Sequence, residues 1–265
     1  MANGVSLGVF LILVTAASVF WGRVNRLGYS RGVTSLGRFI MKYSKMRAEL
    51  VQSYLVWSMY LLTGLVAALA LLTAYQVNLL HYIPLATKYL PVIPLAFIAQ
   101  NSLTGLMMQL WLVSRPTSNV FSDLTSIPWV SYTLMMPRVM RMISPLSAAI
   151  VEEVFFRGAV FLILIHKFPE TGAYLAIFVC TALFVLQQVL QTDTIGQAVI
   201  FVVGSTSISV VGCITILYTG SFLPTLLCHA AYSVVYLQLG RTMRKMPNRI
   251  PTKQGSTTKA AYPTF

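Results

Sequence analysis

The sequence predicts an all-α membrane protein, built as a polytopic helical bundle of about seven or eight transmembrane helices. Hydrophobic residues make up 57% of the 265 residues, charged residues make up only 9%, and the mean hydropathy is +0.75. A soluble domain of this size would carry roughly a quarter charged residues. Because so few polar groups are available to face water, the composition excludes a soluble globular enzyme, a disordered chain and a fibrous repeat.

Seven apolar segments are long enough to approach the thickness of a bilayer. Each is predicted to be a helix, since lipid cannot hydrogen-bond an open strand edge. The segments are 5–21, 50–75, 90–114, 145–166, 173–190, 195–218 and 221–240. A further apolar segment, 127–142, is interrupted by two prolines and two arginines. It is predicted either as an eighth, short or re-entrant helix or as a helix on the membrane surface.

The basic residues predict the orientation in the membrane. The chain has 19 Lys and Arg against 6 Asp and Glu, a net charge of +13. Nearly all of the basic residues follow the first, third or seventh apolar segment, so in a seven-span arrangement the positive-inside rule places the N-terminus outside and the C-terminus inside. If segment 127–142 also spans, the number of helices becomes even and this division is lost. No nucleic-acid partner is predicted, because no soluble domain carries a basic face.

The same pattern divides the chain into three regions. Residues 1–144 form N-terminal transmembrane helices with a basic loop at 23–47, residues 145–240 form a core of helices, and residues 241–265 form a basic, polar tail. Within the basic loop, residues 28–47 mix basic and apolar residues and are predicted to form an amphipathic helix at the membrane interface. The tail is predicted to be disordered.

Few side chains inside the predicted helices can carry chemistry. The fourth apolar segment contains Glu152, Glu153 and Arg157, and the seventh contains His229. Placing an ionisable group within a membrane costs free energy, so such residues are rare and indicate a functional or a structural role. Glu153 and Arg157 are four residues apart, so they share a helix face and can pair. Glu152 points about 100° away from Glu153.

Two interpretations of these residues stay open. In the first, Glu152 faces a cavity and acts as a general base on water. In the second, the charges form a buried ion-pair cluster that fixes helix packing. The three cysteines, Cys180, Cys213 and Cys228, lie in apolar stretches and are predicted to be buried hydrophobic side chains without disulfides.

Three short motifs resemble those of the CAAX-protease and bacteriocin-processing family, also called the Abi family. Residues 152–157 read Glu-Glu-x-x-x-Arg, residues 184–188 read Phe-x-x-x-Gln, and residues 219–233 begin with Thr-Gly-Ser and end with His-x-x-x-Ser. The order and spacing agree with the family. The resemblance covers about 145–240 and implies an intramembrane endopeptidase fold in which the three motifs converge.

The resemblance also implies roles for individual residues. In active members a glutamate of the first motif and a histidine of the second activate a water, and a histidine and an asparagine of the third stabilise the oxyanion. Carried over, Glu152 is the base, Glu153 and Arg157 support it, and His229 is an oxyanion donor.

This chain departs from the family pattern at two positions. Gln188 stands where the second motif has histidine, and Ser233 stands where the third has asparagine. An amide can hydrogen-bond a water but cannot take its proton at neutral pH. Loss of a general acid-base partner costs about 10²- to 10⁴-fold in rate, and loss of an oxyanion donor about 10²- to 10³-fold.

These departures predict a non-catalytic member of the family that serves as a scaffold or accessory subunit of a larger membrane protein complex. One alternative is an active, glutamate-dependent intramembrane endopeptidase, and a second is a regulatory or immunity-like membrane binder. The predicted partners are other membrane proteins and the lipid bilayer. No cofactor is predicted, although a metal held by Glu152, Glu153 and His229 is conceivable.

The composition also bears on the host membrane. Acidic residues are sparse, and the chain has no Asn-x-Ser/Thr site. Both features favour a bacterial plasma membrane or an organellar inner membrane over the secretory pathway.

Overall fold

Every regular element of the described chain is helical. The computed structural model describes residues 6–28, 30–44, 46–115 and 120–245. The α-helices are α1 (Leu7–Leu27), α2 (Arg31–Ser44), α3 (Ala48–Ala74), α4 (Val92–Ser114), α5 (Val120–Ser126), α6 (Pro128–Met135), α7 (Arg138–Glu153), α8 (Leu162–Lys167), α9 (Gly172–Val189), α10 (Ile195–Thr219) and α11 (Leu223–Lys245). The predicted fold class is therefore confirmed.

Five helical segments in the described residues are long and apolar enough to cross a membrane. They are Leu7–Leu27, Leu50–Ala74, Thr87–Ser114, Pro169–Val189 and Ile195–Thr219. The chain is thus an integral membrane protein. Helices also cover most of the remaining two predicted spans, at 145–166 and 221–240. The first carries Glu152, Glu153 and Arg157, whereas the second carries His229 and no Asp, Glu, Lys or Arg. The total of seven or eight spans stays a prediction.

Several predicted boundaries shift. Helix α1 continues past Trp21 to Leu27, so the start of the predicted basic loop belongs to that helix, and most of the rest of the loop is α2. Segment 127–142 is not one helix, because the chain breaks at Met136 and Pro137 between α6 and α7. Helix α11 extends to Lys245, and the predicted tail beyond that residue lies outside the described chain, as does residue 5 of the first segment.

The core surrounds one long helical segment. Helix α7 runs without interruption into a π-helical segment (Val154–Phe161) and then into α8. The π-helical residues from Phe155 to Phe161 are fully buried, and they pack against α3, α9 and α10. π-Helical turns within α-helices are rare and are frequently found at functional sites. Here the π-turn begins directly after Glu152 and Glu153 and carries Arg157.

A glycine in α3 allows α1, α3 and α7 to pack closely against one another. The indole of Trp21 is fully buried, and its Nε1 donates a hydrogen bond to the carbonyl of Tyr60 at 2.9 Å. A Cβ atom added at Gly64 would lie 2.3 Å from the Trp21 ring and 2.6 Å from Val151. Close contact of the three helices therefore depends on the missing side chain at residue 64.

Replacing Gly64 with alanine should destabilise the protein by about 1–3 kcal/mol, because the added methyl overpacks a rigid aromatic contact. Thermal unfolding of the purified chain in detergent measures the change. The matched control is Gly105→Ala in α4, where a Cβ meets no atom within 4 Å. Equal melting temperatures for the two variants would contradict the close approach at Gly64.

Candidate functional site

The first motif places two buried carboxylates side by side. Glu153 is fully buried, and Glu152 is 7% exposed. The Nη1 atom of Arg157 lies 3.2 Å from Oε1 of Glu153, which is the predicted pairing of residues four apart. The nitrogens of Arg157 are not aligned for hydrogen bonds, and its guanidinium also lies over the ring of Phe184, with its carbon 4.6 Å from the ring centre. Arg157 is thus held by charge attraction to Glu153 and by the aromatic ring of Phe184, rather than by two parallel hydrogen bonds to the carboxylate.

Helix α11 joins both carboxylates. The Nδ1 atom of His229 lies 2.8 Å from Oε1 of Glu153, and its Nε2 lies 3.4 Å from Oε2 of Glu152. One turn earlier, Thr225 donates a hydrogen bond of 2.9 Å to the other oxygen of Glu153. The imidazole therefore bridges the two glutamates, and Glu153 is fully engaged by Arg157, His229 and Thr225.

Gln188 of α9 contacts Glu152 directly. Its amide Nε2 donates to Oε1 of Glu152 at 2.8 Å. A carboxylate only accepts hydrogen bonds, so the amide nitrogen must face it, and the amide oxygen must point away. That oxygen accepts from Nε2 of Gln191 at 3.4 Å, and the oxygen of Gln191 accepts from Nδ2 of Asn25 in α1. These three amides form a chain of donors directed from α1 towards Glu152.

Tyr60 of α3 belongs to the site and was not predicted from the sequence. Its hydroxyl donates to Oε1 of Glu152 and accepts a hydrogen bond of 2.9 Å from Nε2 of Gln187. Oε1 of Glu152 thus accepts two hydrogen bonds, one from Tyr60 and one from Gln188. Tyr60 lies outside the three motifs and is one of 13 tyrosines, so no local pattern marked it.

Two cavities flank Glu152 and Gln188. The smaller, of about 60 Å³, lies between α1, α3, α6 and α7, and the aromatic side chains of Trp57 and Trp129 form part of its wall. The larger, of about 110 Å³, is bounded by α7, α9, α10 and α11, and His229 and Ser233 contribute to its wall. Ser233 is therefore near the site, as its spacing from His229 predicts.

The third motif also shapes the chain. Gly220 ends α10 with a φ of +66°, a left-handed conformation that glycine adopts without steric cost. Ser221 then donates a hydrogen bond of 3.1 Å to the carbonyl of Ile83 and accepts one of 3.2 Å from the backbone N–H of Leu223. The turn thereby directs α11 back through the core, which brings His229 to Glu152 and Glu153.

The comparison with known families agrees with this geometry. Residues 135–235 match the family of Rce1-like type II CAAX prenyl endopeptidases. This region belongs to the Rce1-like family. The predicted resemblance to CAAX proteases is thereby confirmed. No curated protein and no solved structure matches the chain.

The Rce1-like region contains all six residues singled out in the sequence, namely Glu152, Glu153, Arg157, Gln188, His229 and Ser233. The structure brings all six to the neighbourhood of one cluster. Asn25 and Tyr60 come from helices outside the matched region. Whether the six residues catalyse a reaction stays a prediction.

The geometry does not suit a metal ion held by Glu152, Glu153 and His229. Within the described part of the chain, no group of three or more His, Cys, Asp or Glu side chains is arranged to hold a metal ion. His229 instead lies at hydrogen-bond distance from Glu153, and a metal between the two would need each ligand atom about 2.0–2.2 Å from the ion.

Proposed function

We propose that this CAAX-protease-like integral membrane protein is non-catalytic and serves as a scaffold or accessory subunit of a larger membrane protein complex. The observation that carries the proposal is the hydrogen bond from Gln188 to Glu152. At the position where the family mechanism needs a histidine to help activate a water, this chain places an amide whose donor faces the carboxylate.

The surroundings of Glu152 add to this argument. Tyr60 donates to the same oxygen as Gln188, and His229 lies beside the other oxygen. A general base must reach the water whose proton it removes. Here three protein groups surround the carboxylate, which favours a buried polar network that fixes the packing of α3, α7, α9 and α11.

The outer face of α4 supports a role in assembly. Helix α4 belongs to one of the five candidate spans and is the least buried of them, at 17%. Ser102 and Gln109 are exposed on its surface. Polar side chains within the membrane stabilise contacts between helices. A transmembrane helix of a partner protein would cover these two side chains.

The proposal is tested by extracting the protein gently from its membrane and weighing the native assembly. We expect a stoichiometric complex that survives Glu152→Gln, an isosteric change that removes the carboxylate while retaining an acceptor for Tyr60 and Gln188. The double variant Ser102→Leu/Gln109→Leu should release the partner. The control Tyr174→Leu/Phe178→Leu, on the exposed side of α9, should retain it. A monomeric wild-type protein would contradict the proposal.

A second candidate function is an active intramembrane endopeptidase. The observation that favours it is the cavity of about 110 Å³ beside Glu152, His229 and Ser233, which has room for water. Cleavage of a peptide by the wild-type chain, abolished by Glu152→Gln, would establish this function in place of the first.

A further inference from the structure

Helix α2 has three distinct faces. The first packs against α3, where a Cβ at Gly37 would lie 3.4 Å from Gln52 and 3.6 Å from Leu55. Gln52 also donates a hydrogen bond to the carbonyl of Gly28, just before α2 begins. These contacts hold α2 against α3, so its other two faces point outwards.

The second face is apolar and exposed. Leu36, Phe39 and Tyr43 follow one another at spacings of three and four, which places them on one side of a helix. They are 49%, 60% and 68% exposed, respectively. The rings of Phe39 and Tyr43 contact each other, with their centres 4.9 Å apart. Exposure of this apolar face to water would be unfavourable.

The third face is basic. Arg31, Arg38 and Lys42 are spaced seven and four apart, so they share a side of the helix that differs from the apolar one. All three are exposed. Among the described side chains, no carboxylate lies within ion-pair distance of any of them. The basic face therefore carries uncompensated positive charge.

The position of α2 in the chain places its two outward faces near the membrane surface. Helices α1 and α3 are both candidate membrane spans, and α2 connects the end of the first to the start of the second. Its 14 residues extend about 21 Å at 1.5 Å per residue. A helix in this place lies beside the lipid headgroups, at the end of both spans.

We propose that α2 lies in the membrane interface and binds anionic phospholipid headgroups. Leu36, Phe39 and Tyr43 enter the boundary of the acyl chains, while Arg31, Arg38 and Lys42 contact the phosphates. An amphipathic helix with separate apolar and basic faces binds lipid through apolar burial and through attraction to anionic headgroups. The charge of the basic face selects anionic over zwitterionic lipid.

The test titrates the purified full chain in detergent with phosphatidylglycerol or phosphatidylcholine and counts bound lipids by native mass spectrometry. We expect the wild-type chain to prefer phosphatidylglycerol. Since each basic residue near an anionic surface contributes on the order of 1 kcal/mol, the triple variant Arg31→Gln/Arg38→Gln/Lys42→Gln should weaken phosphatidylglycerol binding about 100-fold.

A charge-matched control separates this site from general attraction. The variant Lys88→Gln/Arg115→Gln/Lys167→Gln removes three exposed basic residues elsewhere. It should change phosphatidylglycerol binding by less than about 3-fold, because these three residues lie on separate elements and do not share the basic face of α2. The variant Phe39→Ser/Tyr43→Ser should weaken binding of both lipids.

Three outcomes would overturn the proposal. They are equal binding of the two lipids by the wild-type chain, equal losses in the two triple variants, and loss of a co-purifying protein from the α2 variant while its lipid binding is unchanged. The last result would assign α2 to a protein partner. Each readout is independent of whether the chain is a protease or a subunit.

Discussion

The double variant Gln188→His/Ser233→Asn should cleave a peptide substrate at least about 100-fold faster than the wild-type chain. Histidine at position 188 can take a proton from water, whereas the amide cannot, and the loss of such a partner typically costs about 10²- to 10⁴-fold. Asparagine at position 233 adds an amide donor beside His229, and one oxyanion donor contributes about 10²- to 10³-fold.

The structure has room for both replacements. Gln188 lies 2.8 Å from Glu152 and contributes to the walls of both cavities, so an imidazole of similar size can reach the same carboxylate. Ser233 lines the cavity of about 110 Å³, which leaves space for the longer asparagine. The remaining motif residues are already in place.

Cleavage is measured on a prenylated peptide with a CAAX terminus, with the purified variant in detergent or nanodiscs. Adding Glu152→Gln to the double variant should abolish the new activity. The control Gln191→His places an imidazole one helical turn away, outside the direct contact with Glu152, and should remain at the wild-type level. Cleavage of the peptide by the wild-type chain as fast as by the double variant would contradict the non-catalytic assignment.

The variant Arg157→Met should be severely destabilised, by about 3–5 kcal/mol. Arg157 is fully buried, and its guanidinium lies 3.2 Å from Glu153. Its removal leaves Glu153 without its cationic partner, next to a second carboxylate, Glu152. Breaking a buried pair costs this much because one charge remains uncompensated.

A second substitution should restore part of the loss. In Glu153→Gln/Arg157→Met both charges of the pair are absent, and replacing a whole buried pair is often close to neutral. We therefore expect the double variant to be more stable than Arg157→Met alone. Thermal unfolding in detergent measures the stability of the wild-type chain, of Arg157→Met and of the double variant.

The exposed Lys167 provides the control for charge alone. Lys167→Met, at the end of α8, should change stability by no more than about 0.5 kcal/mol. If Arg157→Met unfolded at the wild-type temperature, or if adding Glu153→Gln lowered it further, the buried pair would not be the element that holds the core.

The sequence was sufficient for much of the fold and for the charged part of the site. Composition alone identified a helical membrane protein, because lipid tolerates few charges and only internally bonded backbone. The Glu153–Arg157 pair followed from a spacing of four residues, a property of one helix. The motifs indicated that Gln188, His229 and Ser233 lie near Glu152 and Glu153, since their spacing is recorded in the chain itself.

Tertiary structure alone decided how Glu152 is surrounded. Tyr60 and Asn25 reach the site from α3 and α1, far along the chain, and neither carries a local signal that distinguishes it from other tyrosines or asparagines. The direction of the amide chain also depends on which groups meet across helices. Helical periodicity is local and can be read from spacing, whereas hydrogen bonds between distant segments exist only once packing has brought those segments together.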